Sequence, residues 1–487
     1  MKPSQLRVFS NDELDAIYTT SLYLLKDAGA NIQDEEIRKL LADNGCSVGP
    51  HNLVYFPESL VKECMKSTPN ELTLCGRDPK HDMTVGRQKY PYVIPSAGGN
   101  YCDYQSAYRP VAEEDMRRYL VLCDYLDSID GVWVMSNIPK YGDMYTYYDY
   151  EMGIRNTTKP VFVYNFENPV SIDPTYELAE EIVGGKDELK RRPLTIGLCC
   201  SSPLIWSKYQ CAMLKALARP GIVPVITPEA PMGDSGPVTI AGDIAQKIAE
   251  FLSGLVIMQL LRKGMPIMMA TPHEVFDQKT SAVSLASHAS FVSACAIGQM
   301  ERYLNIPIMS PASPDSYLPD MQASYELAFT FLPLMFGGCN LIVFHGLGSG
   351  DATNNELLLL LDEMVVAGRR LLDGIEVDCD TLATDVIRDV CGKFNNDIRS
   401  GHFLDQRHTL KWYETEHRPR KDSVIEKHTK AEWIKRGSKS FLQRAHERVE
   451  EILRTHKPEP LPKETEVKIA EIRKKYKLDA PGIASSS

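Results

Sequence analysis

Apolar positions along this chain fall into two alternating patterns. Short runs rich in Val, Ile and Leu are apolar at nearly every position, and each is followed by a longer stretch with helical spacing. The short runs stand at 132–135, 161–164, 194–198, 222–226, 267–270, 306–309 and 341–344. A strand apolar on both faces is buried on both, as in a parallel sheet covered by helices. The interval between runs fits strand–helix units. Seven strands are visible, and a TIM-type (β/α)8 barrel requires an eighth, for which 377–387 is the candidate. An open doubly wound sheet is the alternative architecture.

The chain before these units reads as helical. Ser10 and Glu13 form a capping box, and Leu14, Ile17, Leu24 and Leu25 follow on one face until Gly29. A second helix is expected over 34–44 and a third from Pro57, a residue suited to a first turn. The stretch 90–108 carries Gly98-Gly99 and reads as irregular β structure. Beyond Gly401 the composition turns charged, with helices expected at 431–454 and 464–476 before Ser485, Ser486 and Ser487, which read as disordered. The expected organisation is an N-terminal helical region (1–90), an α/β barrel (91–400) and a C-terminal helical extension (401–487) that packs on the barrel or on a neighbouring subunit.

Composition narrows the class. An apolar fraction of 43% and a charged fraction of 24% are ordinary for a globular enzyme. A net charge of -11 argues against nucleic acid as a partner, since phosphate binding wants a basic face. The twelve cysteines have no framework spacing and read as reduced thiols in a cytoplasmic protein. The start has no apolar core of a signal peptide. The most apolar helix, 238–261, is interrupted by Asp243, Gln246, Lys247 and Glu250, which argues against a membrane span.

Loops at the C-terminal ends of barrel strands carry the chemistry of such folds. Here they hold Asn137, Asn165, Glu229, Asp234, Ser235, His273, Glu274, Asp315, Tyr317 and His345, interleaved with Trp133, Tyr164, Phe166 and Phe344. The mouth is expected from the loops after Ile226, Ala270, Met309 and Phe344. His273-Glu274 opens like a zinc-protease motif, but no second histidine follows, so no metal is expected. The glycine-rich loop holding Gly346 and Gly348 lacks the third glycine of a dinucleotide fingerprint and the lysine of a P-loop. It reads as a close-approach loop, with a cofactor phosphate cradle as the alternative. His345 reads either as an anion or proton contact to substrate or as a histidine bonded to a neighbouring loop. Asp320, Gln322 and Glu326 stand at a helix start, where binding competes with capping and loop anchoring. Asp234 and Ser235 divide in the same way between site and N-cap. Aromatics around a mouth suit a cation without hydrogen-bond donors.

Four segments taken together carry a resemblance. They are Gly233-Asp234-Ser235-Gly236-Pro237 continuing to Gly242; Asp320-Met321-Gln322-Ala323-Ser324-Tyr325-Glu326; the His345 loop with Glu356 and Asp362-Glu363; and His402-Phe403-Leu404 with His408-Thr409. In order and spacing they resemble the trimethylamine:corrinoid methyltransferase family, from the N-terminal helices to about Arg420. The resemblance implies a TIM barrel and methyl transfer from an amine to the Co(I) corrinoid (cobalamin) of a cognate corrinoid-binding protein. It implies no cofactor tightly bound to this chain. Archetypal members carry pyrrolysine in the barrel, and every residue here is standard. The chain therefore looks like the branch without pyrrolysine, whose members act on quaternary amines such as glycine betaine, proline betaine or carnitine. A quaternary ammonium already has a neutral amine as leaving group, so no catalytic acid is expected and position is what the protein supplies. The expected contacts are aromatic faces for the cation, with Asn165, Ser235 and His345 as the hydrogen-bonding cluster. A homo-oligomer is expected. Two other classes stay open. A lyase or decarboxylase acting on an anion would converge arginines on the mouth, and a non-catalytic subunit of a corrinoid complex would have its mouth plugged.

Overall fold

The computed structural model describes residues 6–478 except 87, 137, 166–167 and 418–419. Asn137, Phe166 and Ser485 to Ser487 lie outside the described residues. Eight parallel strands close into a barrel: β1 (Tyr92–Gly98), β2 (Val132–Met135), β3 (Val161–Tyr164), β4 (Leu194–Cys200), β5 (Ile222–Pro228), β6 (Met268–Ala270), β7 (Ile308–Ala312) and β8 (Leu341–Phe344). Each pairs with the next, and β8 pairs with β1. The α/β barrel expected from the repeating pattern is therefore the fold, and the open sheet is not.

The missing strand lies at the opposite end from the one expected. Residues 377–387 form turns and the start of a helix, Thr384–Cys391. Closure comes from β1, within the stretch taken for irregular β structure. Its first half pairs with β8 (Leu341↔Tyr92 to Phe344↔Pro95) and its second half with β2 (Ser96↔Trp133 to Gly98↔Met135). Pro95 and Ser96 break the continuous apolar run that marks the other strands. The tight passage against β2 also demands glycine, because a Cβ at Gly98 would fall 1.7 Å from the Met135 carbonyl oxygen.

Side chains along each strand alternate between lumen and helix layer. Trp133, Phe162, Tyr164, Val223, Val225, Met268, Ala270, Met309, Leu341 and Val343 form one apolar cluster inside the barrel. Val134, Val163, Ile226, Met269, Ile342 and Phe344 belong to the larger cluster beneath the helices. A hairpin of Leu72–Leu74 with Met83–Val85 joins the inner cluster. Met83 lies beside Gly131, just ahead of β2, so the hairpin stoppers the N-terminal end of the barrel.

The helix Ile240–Leu261 is buried along nearly its whole length, packed against β5 and the N-terminal helices Asn11–Asp27 and Glu58–Ser67. By length and composition it could cross a membrane, yet 89% of its apolar window is buried inside the protein. Its polar residues have inward tasks. Glu250 accepts from Ser202 Oγ (2.9 Å) and the Leu204 amide (3.0 Å), fixing the loop after β4. Lys247 Nζ lies 2.8 Å from Asp243 Oδ2 and donates to the Pro272 carbonyl at 2.8 Å. The N-cap is Thr239, without a side-chain bond, so neither Asp234 nor Ser235 caps this helix.

The N-terminal helices begin as read, with the Ser10–Glu13 capping box and Asp34 accepting from the Ile37 amide. The helix expected at 431–454 is two, Lys430–Lys435 and Phe441–Thr455, divided at Gly437 with φ +93°. The second packs on Glu113–Tyr125 and Asn355–Asp373, while Lys463–Tyr476 packs on Ile172–Val183.

Removing one member of a buried ion pair strands the other, at a cost of about 3–5 kcal/mol. Lys247 and Asp243 are each almost fully buried. Lys247→Ala should therefore lower unfolding free energy by about that amount in urea titration. A loss below about 1 kcal/mol would show that the pair does not brace the helix.

Candidate active site

With the hairpin packed at the floor, the described lumen opens where the strands end. A cavity of about 220 Å³ lies there. Trp133 and Met135 of β2 line it, followed around the barrel by Tyr164 of β3, Thr227 of β5 and Glu229 just past that strand. Thr271, Pro272 and Glu274 follow β6, then Met309 and Ser310 of β7, and Val343 and His345 of β8. Leu285, Ser349 and Gly350 cover the rim, where Asp315 accepts from the Leu285 amide (2.9 Å) and Ser349 Oγ (2.5 Å).

One wall is aromatic. Trp133 and Tyr164 stack with ring centroids 5.4 Å apart and an interplanar angle of 20°, and the His345 ring lies 5.5 Å from Trp133. Position 197 leaves the space that Tyr164 fills, since a Cβ on Gly197 would fall 2.4 Å from Tyr164 Cδ2. The Tyr164 hydroxyl lies 2.5 Å from Cys199 Sγ. His345 Nδ1 is 2.9 Å from Ser96 Oγ. Burial pushes the pKa of His345 down to about 4. The ring is neutral at physiological pH and offers a hydrogen bond rather than a cationic grip on an anion.

Another part of the lining is acidic. Loops after β5 and β6 are joined by two backbone bonds, Met232 N–H to the Glu274 carbonyl (3.0 Å) and Phe276 N–H to the Met232 carbonyl (3.0 Å). This stitching brings Glu229 and Glu274 into one cavity. Glu229 is exposed toward the open cavity, and Glu274 is half-buried. Desolvation raises the pKa of both, that of Glu274 to about 7, with the charge of Glu229 adding to the shift. Lys247, behind the wall, pulls the other way.

Five residues singled out from sequence thus meet in the cavity: Trp133, Tyr164, Glu229, Glu274 and His345. Others stand elsewhere for visible reasons. Asn165 and Phe344 are one step out of phase and face the helix layer. Asn165 is spent on Thr146, Asn168 and Ser171 at 2.8–3.0 Å, and Phe344 is core. Tyr317 lies exposed on the outer rim against Tyr108. Asp234 is exposed in a turn, and the Ser235 carbonyl accepts from Gln246. Asp320 caps the helix Met321–Gly337 through the Gln322 and Ala323 amides. Gln322 donates to Glu326, which anchors the Ser316 amide. Gly346 and Gly348 do not line the cavity. With φ of +88° and +60° they turn the chain where a Cβ would meet the Ala352 carbonyl and the Tyr317 ring, which accounts for them without a cradle. Glu274 stands among the mouth residues in the sequence, with no binding role read for it. Its signal was parity, because 272 and 274 continue the inward phase of Met268 and Ala270.

Among the described residues, stacked rings and two carboxylates line one cavity at the strand ends of the barrel. Residues 2–479 match the family model described as trimethylamine methyltransferase (MTTB), and the chain belongs to that methyltransferase family. It is 28% identical over 485 residues to trimethylamine methyltransferase MttB of Desulfitobacterium hafniense (strain DSM 10664 / DCB-2), covering 98% of this chain and 95% of that protein. To MttB of Methanosarcina barkeri it is 28% identical over 471 residues, 94% of this chain and 92% of that protein. To glycine betaine methyltransferase of Desulfitobacterium hafniense (strain Y51) it is 26% identical over 481 residues, 95% of each. The crystal structure of Methanosarcina barkeri monomethylamine methyltransferase (MtmB) aligns with 84% of this chain and 93% of that one, at 11% identity and a TM-score of 0.47.

Gly197→Ala should displace the Tyr164 ring and weaken binding of tetramethylammonium about tenfold, since a desolvated cation over an aromatic face gains about 2 kcal/mol. Calorimetric titration checks it, and unchanged affinity in a folded variant would detach Tyr164 from binding. Glu274 also predicts a pH effect. Its carboxyl holds a proton more tightly folded than unfolded, so its contribution to stability is full below about 4.5 and is lost as pH rises through about 7. Glu274→Gln should therefore melt above the parent at pH 8, with the gap closing toward pH 4.5.

Proposed function

We propose that this chain transfers a methyl group from a quaternary ammonium compound to the Co(I) corrinoid of a separate corrinoid-binding protein. The observation that carries this reading is the Trp133–Tyr164 stack lining the same cavity as Glu229 and Glu274. A quaternary nitrogen has no N–H to donate, so ring faces and the field of carboxylates are what hold it. Transfer breaks one C–N bond and leaves the electron pair on a neutral tertiary amine, so no proton need move. The chain's work is to fix the cation with one methyl toward the mouth and to exclude water. The corrinoid, when presented, supplies the nucleophile. Among the described lining residues no arginine appears, which disfavours a decarboxylase of anions, and the open cavity disfavours a plugged non-catalytic subunit.

The donors to try run from glycine betaine, proline betaine and carnitine to carboxylate-free cations such as choline and tetramethylammonium. One relative carries glycine betaine in its name. Protonated trimethylamine is the second reading, favoured by the same carboxylates, since either would accept its N–H. A cytoplasmic location and a homo-oligomer belong to the same proposal. The described cysteines are free thiols. Exposed apolar side chains such as Ile375, Val377, Ile398, Leu404 and Leu410 concentrate on one segment, a surface suited to a second copy.

The test is demethylation of a panel of quaternary amines and trimethylamine with added Co(I) cobalamin or corrinoid protein. At least one quaternary compound should lose a single methyl group, at a rate well above trimethylamine. Equal or faster turnover of trimethylamine would favour the second reading, and no turnover of any amine would end both.

A further inference from the structure

The charge of the cavity is one-sided. Glu229 and Glu274 line it and carry its negative charge on the alkaline side, Glu274 above about pH 7, and among the described lining residues neither lysine nor arginine joins them. Lys247, the nearby cation, is shut behind the wall by Asp243 and the Pro272 carbonyl and does not reach the cavity. His345 is hydrogen-bonded to Ser96 and uncharged. The remaining polar groups on the lining, such as Ser310 and Thr271, are neutral. Ser310 Oγ is already committed to the Thr271 carbonyl at 2.8 Å.

Two donor types would meet this wall differently. A cation such as tetramethylammonium or choline brings one positive charge and nothing that the carboxylates repel. A betaine brings the same charge together with a carboxylate a bond or two away. In a cavity of about 220 Å³ that carboxylate stays close to Glu229 and Glu274, with no cationic side chain on the lining to receive it. Like charges in a partly desolvated site repel far more strongly than in bulk water. An unpaired like charge set against the wrong ligand lowers that ligand's affinity and so builds selectivity.

We propose that Glu229 and Glu274 are specificity-determining residues that select a net-cationic quaternary amine, lacking a carboxylate, over a betaine. This rests on the reading of the cavity as a quaternary ammonium site. The stitching of the β5 and β6 loops through Met232 is what holds the pair together, so the selection is built into the barrel rather than into a flexible lid.

Binding to the full chain, measured by calorimetry at pH 8, tests the selection without the partner protein. Choline and glycine betaine are the matched pair, since they differ chiefly in alcohol against carboxylate, and tetramethylammonium is the minimal cation. Choline should bind at least tenfold tighter than glycine betaine. Glu229→Gln and Glu274→Gln should each shrink that ratio several-fold, weakening choline while improving glycine betaine. Retained thermal melting transitions report that the variants fold. Glycine betaine binding as tightly as choline, or a ratio unmoved in both variants, would overturn the selection while leaving the quaternary ammonium site standing. Failure of all three compounds to bind would overturn the site and the selection together.

Discussion

A side chain on a closed barrel strand has two destinations, the lumen or the helix layer, and alternation along the strand assigns most of them. The candidate site depends on that constraint. Trp133, Tyr164, Glu229, Glu274 and His345 come from different strands or strand ends, and all share the inward phase. Asn165 and Phe344 each stand one residue away from a cavity residue, and both are lost to the outer layer. Closure enforces the rule. An open sheet tolerates splaying at its edges, whereas β1, paired with β8 along one half and β2 along the other, leaves no edge to relax.

The electrostatics follow from the same geometry. Two acidic side chains share a cavity because the loops that carry them are sewn together through Met232, and the protein bears the repulsion. Lys247 eases it from behind the wall, where its own charge is balanced by Asp243. A lysine placed on the lining instead would cancel the field that a cation feels. The neutral His345 completes the contrast, since burial beside Trp133 removes the positive charge it would otherwise add.

Much of the architecture was legible because a strand buried on both faces leaves a continuous apolar run, and seven strands did so. The eighth did not, since Pro95, Ser96 and Gly98 answer to pairing and close approach rather than to burial alone. At the site, the aromatic wall was readable from residue type and position. The polar candidates were harder, because a polar residue at a loop start serves equally as cap, anchor or ligand. Asp320 turned out to cap a helix and Glu326 to anchor a loop, tasks that depend on which amide lies within reach. The lining role of Glu274 could have been found by counting in twos from Met268. Its place beside Glu229 could not, because the backbone bonds that join the two loops have no sequence signature.

Among the described residues, the hairpin at the floor leaves the strand ends as the way into the barrel. Whatever small molecule enters must leave by the way it came. Anything large enough to sit across the mouth would therefore hold the small one inside until it withdrew. In such a barrel the sequence of arrivals and departures is dictated by plumbing: the small guest first, the large one over it, and no exchange between them until the mouth is clear again.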